Sequence, residues 1–462
     1  MPHLRTALVL FTRDLRVHDH PALAEAIRSS DLVVPLFVLD PALLGSGAAA
    51  NRIAFLVEAL ADLRESLRSL GGDLLLRRGD PVEETLPLAT AVGARTVFAA
   101  SDGSAYARAR ESRLASACRD ARIELRTFPL ASAVPPGALV PAGGDHYRVF
   151  TPYLRRWSST RLRPVAPRPA RLRLPAGLDP GELPAASELS RGRPSPGRPR
   201  GGETAGRQRL ERWLAEGLAG YEALRDDLAA DATSRLSPYL HLGCLSAVEL
   251  VTRVRELQER SEFERQLAWR DFFGQLLAAN PRSARETLRD RGDRWRDDAE
   301  ALERWRAGLT GYPLVDAAMR QLAAEGFVHN RARLVAGSFL AKTLYLDWRD
   351  GARAFSELLV DGDVASNVGN WQWVAGTGAD TRPNRILDPL AQARRFDPRG
   401  AYVRRWVPEL AGLAGAAAHE PWRAPTGLVA PEYPARIIDH VAAAASFRAA
   451  REARRSPVAA EA

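Results

Sequence analysis

The sequence predicts an α/β N-terminal domain with a Rossmann-like parallel sheet, followed by an all-α C-terminal domain. Apolar strand-like runs alternate with helical patterns up to residue 130, and from residue 201 onward the pattern is helical almost throughout. The chain has 462 residues, which is enough for two sizeable cores. Residues 131–200 are rich in Pro, Arg and Gly and lack periodicity, which indicates an interdomain linker with residues 150–157 as its ordered anchor.

Composition narrows the class of protein. The hydrophobic content of 46% is typical of a globular chain, and the net charge of +9 weakly favours a nucleic-acid partner. There is no apolar run long enough for a membrane span and no signal-peptide pattern, so we expect a cytoplasmic protein. Cys118 and Cys244 are the only cysteines and are expected to be packing residues in a reducing compartment. The sequence shows no metal-ligand spacing.

The N-terminal domain is predicted element by element from periodicity. The candidate strands are 7–11, 32–39, 74–76, 96–100 and 123–128. The candidate helices between the later strands are 51–70, 82–92 and 104–119. The first strand continues into Thr12-Arg13-Asp14-Leu15-Arg16 instead of a G-x-G-x-x-G turn, so the usual dinucleotide site is not expected. Taken alone, this segment favours a plain solvated turn.

The densest chemistry lies in residues 361–373. The segment contains Asp361 and Asp363, three amide side chains and two indoles, a composition suited to a planar polar cofactor. The two aspartates could equally cap a helix, as aspartates often do.

Three further segments carry polar groups at helical spacing. Residues 233–240 place three hydroxyls and Arg235 before a helix that contains Pro238, an arrangement that suits a pyrophosphate or an ordinary helix start. Gln266, Trp269, Arg270 and Phe273 share one helix side, as do Asn330 and Arg333. Arg331 points to another side and could serve a different ligand. A base-sized ligand and a solvated face both remain open for these sides.

Motifs spread over the whole chain match one family. They are the segments 11–16 (Phe-Thr-Arg-Asp-Leu-Arg), 310–320 and 396–398 (Phe-Asp-Pro). The sequence resembles the photolyase/cryptochrome family, most closely the bacterial class I cyclobutane pyrimidine dimer photolyases. The resemblance implies a non-covalent FAD in the helical domain, 201–462, and an antenna chromophore in the α/β domain, 1–130. It also implies light-driven electron transfer to pyrimidine dimers in DNA.

The resemblance also implies roles for individual residues. Asn367 matches the residue beside flavin N5, where an amide adds no negative charge, and Trp371, Trp348 and Trp295 match the electron-transfer chain to the surface. The lesion and DNA positions are Arg225, Gln266, Trp269, Arg331, Trp373 and Gln392. The FAD positions are Tyr221, Thr233, Ser234, Arg235, Leu236, Ser237, Arg270, Asn330, Arg333, Asp361, Asp363 and Asn367.

Some positions depart from the family pattern and leave the substrate and the antenna open. Gln266 stands where cyclobutane-dimer enzymes usually have glutamate, and Leu334 where they often have methionine, so a (6-4) photolyase competes with the cyclobutane-dimer assignment. Residues 106–110 lack the Asn-Glu pair associated with folate, which favours a deazaflavin antenna or an empty site. A signalling cryptochrome and a flavin oxidoreductase are the competing functions from different classes. We expect a monomer.

Overall fold

The N-terminal part of the chain is built around a parallel sheet. The computed structural model describes residues 4–45, 47–257, 261–425 and 429–453. All strand pairs are parallel, in the order β3-β2-β1-β4-β5. The strands are β1 (Thr6–Phe11), β2 (Leu32–Leu39), β3 (Leu75–Arg78), β4 (Ala94–Ser101) and β5 (Glu124–Pro129). The parallel pairing confirms the predicted open parallel sheet. Strand β1 is buried along its whole length, as expected for a strand covered on both faces.

Four helices cover the two faces of the sheet. They are α1 (Pro21–Ser29), α2 (Ala50–Ser69), α3 (Pro81–Ala91) and α4 (Ala105–Asp120). The three helices predicted from periodicity lie within one residue of their expected bounds, whereas α1 was not predicted. Cys118 is buried on α4 and Cys244 in the helical region, as expected for packing residues.

The strand order reverses at β1, which lies between β2 and β4. In open α/β sheets, such a reversal leaves a crevice beyond the carboxyl ends of the strands, where ligands commonly bind. Here the segments that leave β1 and β4 are Thr12-Arg13 and Asp102-Gly103. The sheet therefore places a ligand-sized crevice next to a segment that the sequence alone suggested was a solvated turn.

The linker lies against both parts of the molecule. It contains α5 (Phe150–Ser158) and α6 (Ala186–Leu189). Trp157 is fully buried, and its indole N–H donates to Asp271 at 3.0 Å. The Leu172 N–H donates to the Leu70 carbonyl, which fastens the middle of the linker to the end of α2. The predicted anchor, residues 150–157, is confirmed.

The remaining described residues are helical, and no strand occurs among them after residue 129. The larger helices are α7 (Glu203–Arg212), α10 (Ala247–Leu257), α11 (Glu262–Ala279), α13 (Pro313–Glu325), α14 (Asn330–Ser338), α15 (Trp348–Leu358), α16 (Val364–Ala375) and α19 (His440–Ala453). The shorter helices are α8 (Tyr221–Leu224), α9 (Ser237–His241), α12 (Ala299–Arg306), α17 (Pro389–Phe396) and α18 (Ala401–Trp406). In the part of the chain that the structure describes, no helix is both long and apolar enough to cross a bilayer.

Two apolar cores support the helical part. One runs from the sheet through α2 into α7 and α11, and therefore joins the two domains. The other lies mainly among α12–α18 and includes the buried rings of Trp305, Trp348 and Trp371. Helix α16 packs against both α11 and α15, so its side chains lie where the two cores meet.

Candidate functional site

Helix α16 carries most of the segment that the sequence singled out. Asp363 is its N-cap: one carboxylate oxygen accepts the Ser366 N–H at 2.9 Å. The capping alternative is therefore correct for Asp363. The second oxygen lies 2.7 Å from the Arg13 guanidinium, so the same carboxylate also serves as an ion-pair partner. Burial opposes its ionisation, but Arg13 and Arg270 outweigh this effect and hold the Asp363 pKa well below its ordinary value.

Asp361 binds two other predicted flavin positions. Its carboxylate accepts the Ser237 hydroxyl at 2.6 Å and the Arg333 guanidinium at 2.9 Å. Arg333 also donates to the Val328 carbonyl at 2.7 Å. Because Asp361 is buried, this charge needs its partners. We call Ser237, Arg333, Asp361, Asp363 and Asn367 the predicted flavin pocket.

The side chain of Asn367 has a defined orientation. Its amide nitrogen donates to the Ala352 carbonyl of α15 at 2.9 Å. The amide oxygen has no hydrogen bond among the described residues and can accept one from a ligand, while the second N–H of the same amide is also unused. Such an oxygen suits a ligand N–H group without adding formal charge.

In the segment 233–237, the Arg235 side chain is paired with carboxylates. The Arg235 guanidinium lies 2.8 Å from Asp231 and 3.1 Å from Glu325. The expected contact of Arg235 with a phosphate would therefore require the guanidinium to exchange a carboxylate partner. The Thr233 hydroxyl is buried without a hydrogen-bond partner among the described residues, so it is available to a ligand oxygen.

Arg209, which the sequence analysis did not identify, holds this segment in place. Its guanidinium donates to the Ser234 and Thr233 carbonyls at 2.8 and 3.1 Å. It lies 24 and 25 residues away from them in sequence, and no local pattern signals this contact. Leu236, the residue that follows Arg235, is buried in the interdomain core.

The other predicted flavin positions have contacts of their own. Arg270 donates to the Leu240 carbonyl at 3.1 Å. Tyr221 packs edge-on against Trp213 and Phe263, and its burial raises the pKa of the phenol to about 12. Asn330 is the exposed first residue of α14.

Two of the predicted relay tryptophans lie in the helical core. Trp371 packs edge-on against Phe355 and Trp305 at ring distances of 5.0 and 6.0 Å. A Cβ on Gly351 would lie 2.2 Å from the Trp371 ring, so the indole needs glycine at that position. Trp348 is buried at the start of α15. Trp305, whose N–H donates to the Ala336 carbonyl, was not singled out in the sequence.

Trp295, the third predicted relay residue, is partly buried and packs edge-on against Tyr345 at 5.3 Å. The Tyr345 hydroxyl donates to Asp293, which also pairs with Arg451 of α19. The terminal helix of the described chain is therefore held beside this indole.

Phe150 contacts Trp269, one of the predicted lesion residues. Trp269 stacks on Phe150 of the linker with ring centroids 3.6 Å apart and planes 10° from parallel. It also contacts Phe273 at 5.3 Å, which confirms that these two residues share one side of α11. Gln266, one turn earlier, is half-buried. Trp373 lies beneath the Arg385 guanidinium.

The predicted DNA arginines are paired with carboxylates. Arg225 contacts Glu262, and Arg331 lies 2.8 Å from Asp226 and over the Phe396 ring. Arg331 and Arg333 thus serve different partners, as their spacing predicted. Gln392 lies half-buried on α17, and its amide oxygen has no partner among the described residues.

A cavity of about 860 Å³ fills the crevice at the strand reversal. We call it the switch-point cavity; its wall includes Arg13, Arg52, Asp102, Tyr106, Ala107 and His241. Burial, together with nearby Arg13, lowers the pKa of His241 to about 3, so its imidazole is neutral. The wall of the cavity is largely apolar, and the His241 Nδ1 is a buried polar atom in it without a partner among the described residues.

Comparisons with known proteins agree on one family. Residues 7–171 match a family model described as DNA photolyase, and residues 263–453 match the FAD binding domain of DNA photolyase. The deoxyribodipyrimidine photo-lyase of Streptomyces griseus is 52% identical over 97% of this chain and 99% of its own.

Two solved structures are also similar over nearly the whole chain. One is a bacterial class III photolyase from Agrobacterium tumefaciens, with a TM-score of 0.92, 33% identity and 98% of each chain covered. The other is an archaeal photolyase from Sulfolobus tokodaii, described with two FAD molecules, with a TM-score of 0.86, 28% identity, and 97% of this chain and 100% of that chain covered.

Proposed function

We propose that this chain, which belongs to the DNA photolyase family, is a deoxyribodipyrimidine photolyase that uses light and reduced FAD to split cyclobutane pyrimidine dimers in DNA. The similarity to the Streptomyces griseus enzyme over almost the whole of both chains supports this function. The structural observation that carries it is the orientation of Asn367, whose amide oxygen is left to accept a hydrogen bond.

The residues present fit an FAD molecule. The Thr233 hydroxyl is buried and unused, and Ser237, Arg333 and Asp361 already form a fixed polar cluster. Bound FAD would supply the light-excited electron that opens the dimer. In our proposal the FAD site comprises these residues with Tyr221, Ser234, Leu236, Arg270, Asn330 and Asp363, whereas Arg235 shapes the segment through its ion pairs.

Asn367 and the arginines would set the charge around the flavin. A carboxylate at position 367 would repel a negatively charged flavin, whereas the Asn367 oxygen accepts a hydrogen bond without formal charge. Asp361 and Asp363 are each neutralised by an arginine. The pocket therefore avoids an unpaired negative charge next to a cofactor that must itself be anionic.

Trp371, Trp348 and Trp295 would carry electrons from the protein surface when the flavin needs to be reduced. The burial of Trp348 and Trp371 and the half-exposed position of Trp295 support this direction. Repair needs a lesion outside the DNA stack, and a damaged step is easier to extrude than an intact one. Gln266, Trp269 and Trp373 would contact the extruded dimer.

Arg225, Arg331 and Gln392 would contact the DNA strand around the lesion. The paired arginines must exchange a carboxylate for a phosphate, so binding should weaken with salt. We propose that residues 1–130 form the antenna domain, 131–200 the linker and 201–462 the FAD and DNA domain. The proposed enzyme acts as a cytoplasmic monomer.

We further propose that the switch-point cavity holds an antenna chromophore of the deazaflavin type. Its volume, its position at the strand reversal and the unused Nδ1 of neutral His241 support a flat heteroaromatic ligand. An absorption spectrum of the purified protein would report this chromophore and the redox state of FAD together.

The substrate is tested with the reduced, illuminated protein and defined lesions. We expect repair of an oligonucleotide with a cyclobutane dimer and no repair of one with a (6-4) lesion. Repair of only the (6-4) lesion would overturn the substrate assignment and identify Gln266 as its signature. Binding of both lesions without repair would indicate a signalling protein instead.

A further inference from the structure

Arg13 joins the sheet domain to the predicted flavin pocket. Arg13 lies two residues after the carboxyl end of β1. Its guanidinium lies 2.7 Å from Asp102, which follows β4, and 2.7 Å from Asp363 at the start of α16. Its Nε also donates to the His241 carbonyl at 2.9 Å. One side chain therefore ties together two strand ends, the α9 segment and helix α16.

The backbone around Arg13 is packed closely enough to fix this position. Gly243 has φ 66°, and a Cβ there would lie 2.0 Å from the Arg13 carbonyl oxygen. Only glycine allows the two chain segments to approach in this way. The Leu15 N–H also donates to the Leu242 carbonyl at 3.3 Å. The guanidinium is consequently presented to Asp363 from a backbone that has little freedom.

The two aspartates of the predicted flavin pocket have different sources of positive charge. Asp361 is paired with Arg333, which belongs to the same helical domain. Asp363 has one oxygen committed to the cap of α16, and the other binds Arg13 of the sheet domain. Without Arg13, a carboxylate that is only 15% exposed would lie one helical turn from Asn367 with no direct ion-pair partner and only the longer-range charge of Arg270. Charge interactions are strong away from water.

We propose, on the basis of the function proposed above, that Arg13 is a positioning residue that neutralises Asp363 and thereby makes the pocket favour the negatively charged reduced flavin. The sheet domain then contributes to flavin chemistry through one ion pair, in addition to any antenna that it holds. Arg13 need not touch the flavin, because it acts through the charge of Asp363.

The test is the midpoint potential of bound FAD, measured in the wild type, Arg13→Gln, Asp363→Asn and the double variant. Asparagine preserves the N-cap of α16. We expect Arg13→Gln to lower the ratio of reduced to oxidised FAD at a fixed potential by about tenfold, the effect of one pKa unit of charge interaction. The double variant should return most of the way to the wild-type ratio, because the uncompensated charge is gone.

A matched control breaks an ion pair of the same type elsewhere. Arg253 binds Glu211 at 2.6 and 2.7 Å in the helical domain, and Arg253→Gln should leave the potential unchanged. An unshifted potential in Arg13→Gln, or a double variant no closer to wild type than the single one, would overturn the proposal. A purely structural role predicts that second result, because two broken contacts would not repair each other.

If Arg13→Gln loses its flavin, retention of FAD replaces the potential as the readout. Recovery of FAD in the double variant supports the proposal, and continued loss overturns it. Arg13→Lys keeps the charge and should remain close to the wild type. Wild-type protein that binds no FAD would instead reject the proposed function, so the two failures are distinguishable.

Discussion

In the predicted flavin pocket, Asp361 already binds Arg333 and Ser237, whereas in the switch-point cavity the His241 Nδ1 has no partner among the described residues. The first region has its charges matched before any ligand arrives. The second is a largely apolar space whose wall also contains charged side chains and a buried imidazole nitrogen without a partner among the described residues. A preorganised polar site gains affinity because little must be reordered on binding, while an open cavity depends on the fit of its ligand. The flavin pocket should therefore tolerate substitution less well than the cavity.

The largest effect is expected for Asp361→Ala. The substitution leaves the Arg333 guanidinium without its ion-pair partner in a confined site, and breaking a buried pair costs about 3–5 kcal/mol. We expect loss of bound FAD and a lower unfolding temperature, measured by the flavin-to-protein absorbance ratio and by calorimetry. Asp350→Ala is the control, because the Asp350 pair with Arg353 is exposed and 3.5 Å long. A normal flavin content in Asp361→Ala would contradict the expectation that the flavin pocket tolerates substitution poorly.

The next effect concerns Trp371, the buried ring nearest in sequence to Asn367 among the predicted relay residues. Trp371→Phe should slow photoreduction of oxidised flavin about tenfold, equivalent to about 1.4 kcal/mol in the barrier. Repair by chemically reduced enzyme should be unchanged, because that reaction does not need the relay.

Trp305→Phe is the informative companion to Trp371→Phe, since Trp305 contacts Trp371 at 6.0 Å but has no predicted role. Its photoreduction rate should stay near the wild-type rate. Equal slowing in both variants would place Trp305 on the electron route, and an unchanged rate in Trp371→Phe would remove Trp371 from it.

A smaller effect is expected in the switch-point cavity. Ala107 is buried on α4 and lines the cavity, so Ala107→Trp should fill part of it and exclude the antenna while FAD is retained. Ala109→Trp is the matched control, because Ala109 is exposed on the same helix. The absorption spectrum reports both chromophores at once. Loss of FAD together with the antenna would show that the flavin pocket depends on the packing of the switch-point cavity.

Much of the fold and part of the site could be predicted from sequence. Strand periodicity identified all five strands, and the spacing of Asn330, Arg331 and Arg333 correctly separated Arg331 from Arg333. Local patterns succeed in these cases because the residues that determine each element lie within a few turns of one another.

The contacts that complete the site join residues that are far apart in the sequence. Arg13 and Asp363 are 350 residues apart, Arg209 reaches a segment on a different element, and Phe150 stacks on Trp269 from the linker. Each depends on how elements that are distant in the sequence pack together, which no local period encodes. The cavity was also missed, because it arises from strand order and from apolar side chains that look like ordinary core in the sequence.

The smallest effect compares two buried histidines, His241 of the switch-point cavity and His329 at the start of the helix that carries Arg333. Burial lowers the pKa of His241 to about 3 and that of His329, which caps α14, to about 4. The unfolded chain takes up these protons near pH 6.5, so below that pH it binds more protons than the folded state. Stability must therefore fall as the pH falls from about 6.5 toward those values.

At pH 5.5, each histidine should reduce the free energy of unfolding by about 1.4 kcal/mol relative to pH 7.5. His329→Asn keeps a capping side chain and His241→Leu removes a nitrogen without a partner, so each should flatten the pH dependence in urea unfolding. A ligand that donates a hydrogen bond to the His241 Nδ1 keeps the imidazole neutral, so His241→Leu should flatten the profile in antenna-loaded protein as well. An unchanged pH dependence in either variant would contradict the assignment of that proton uptake to its histidine.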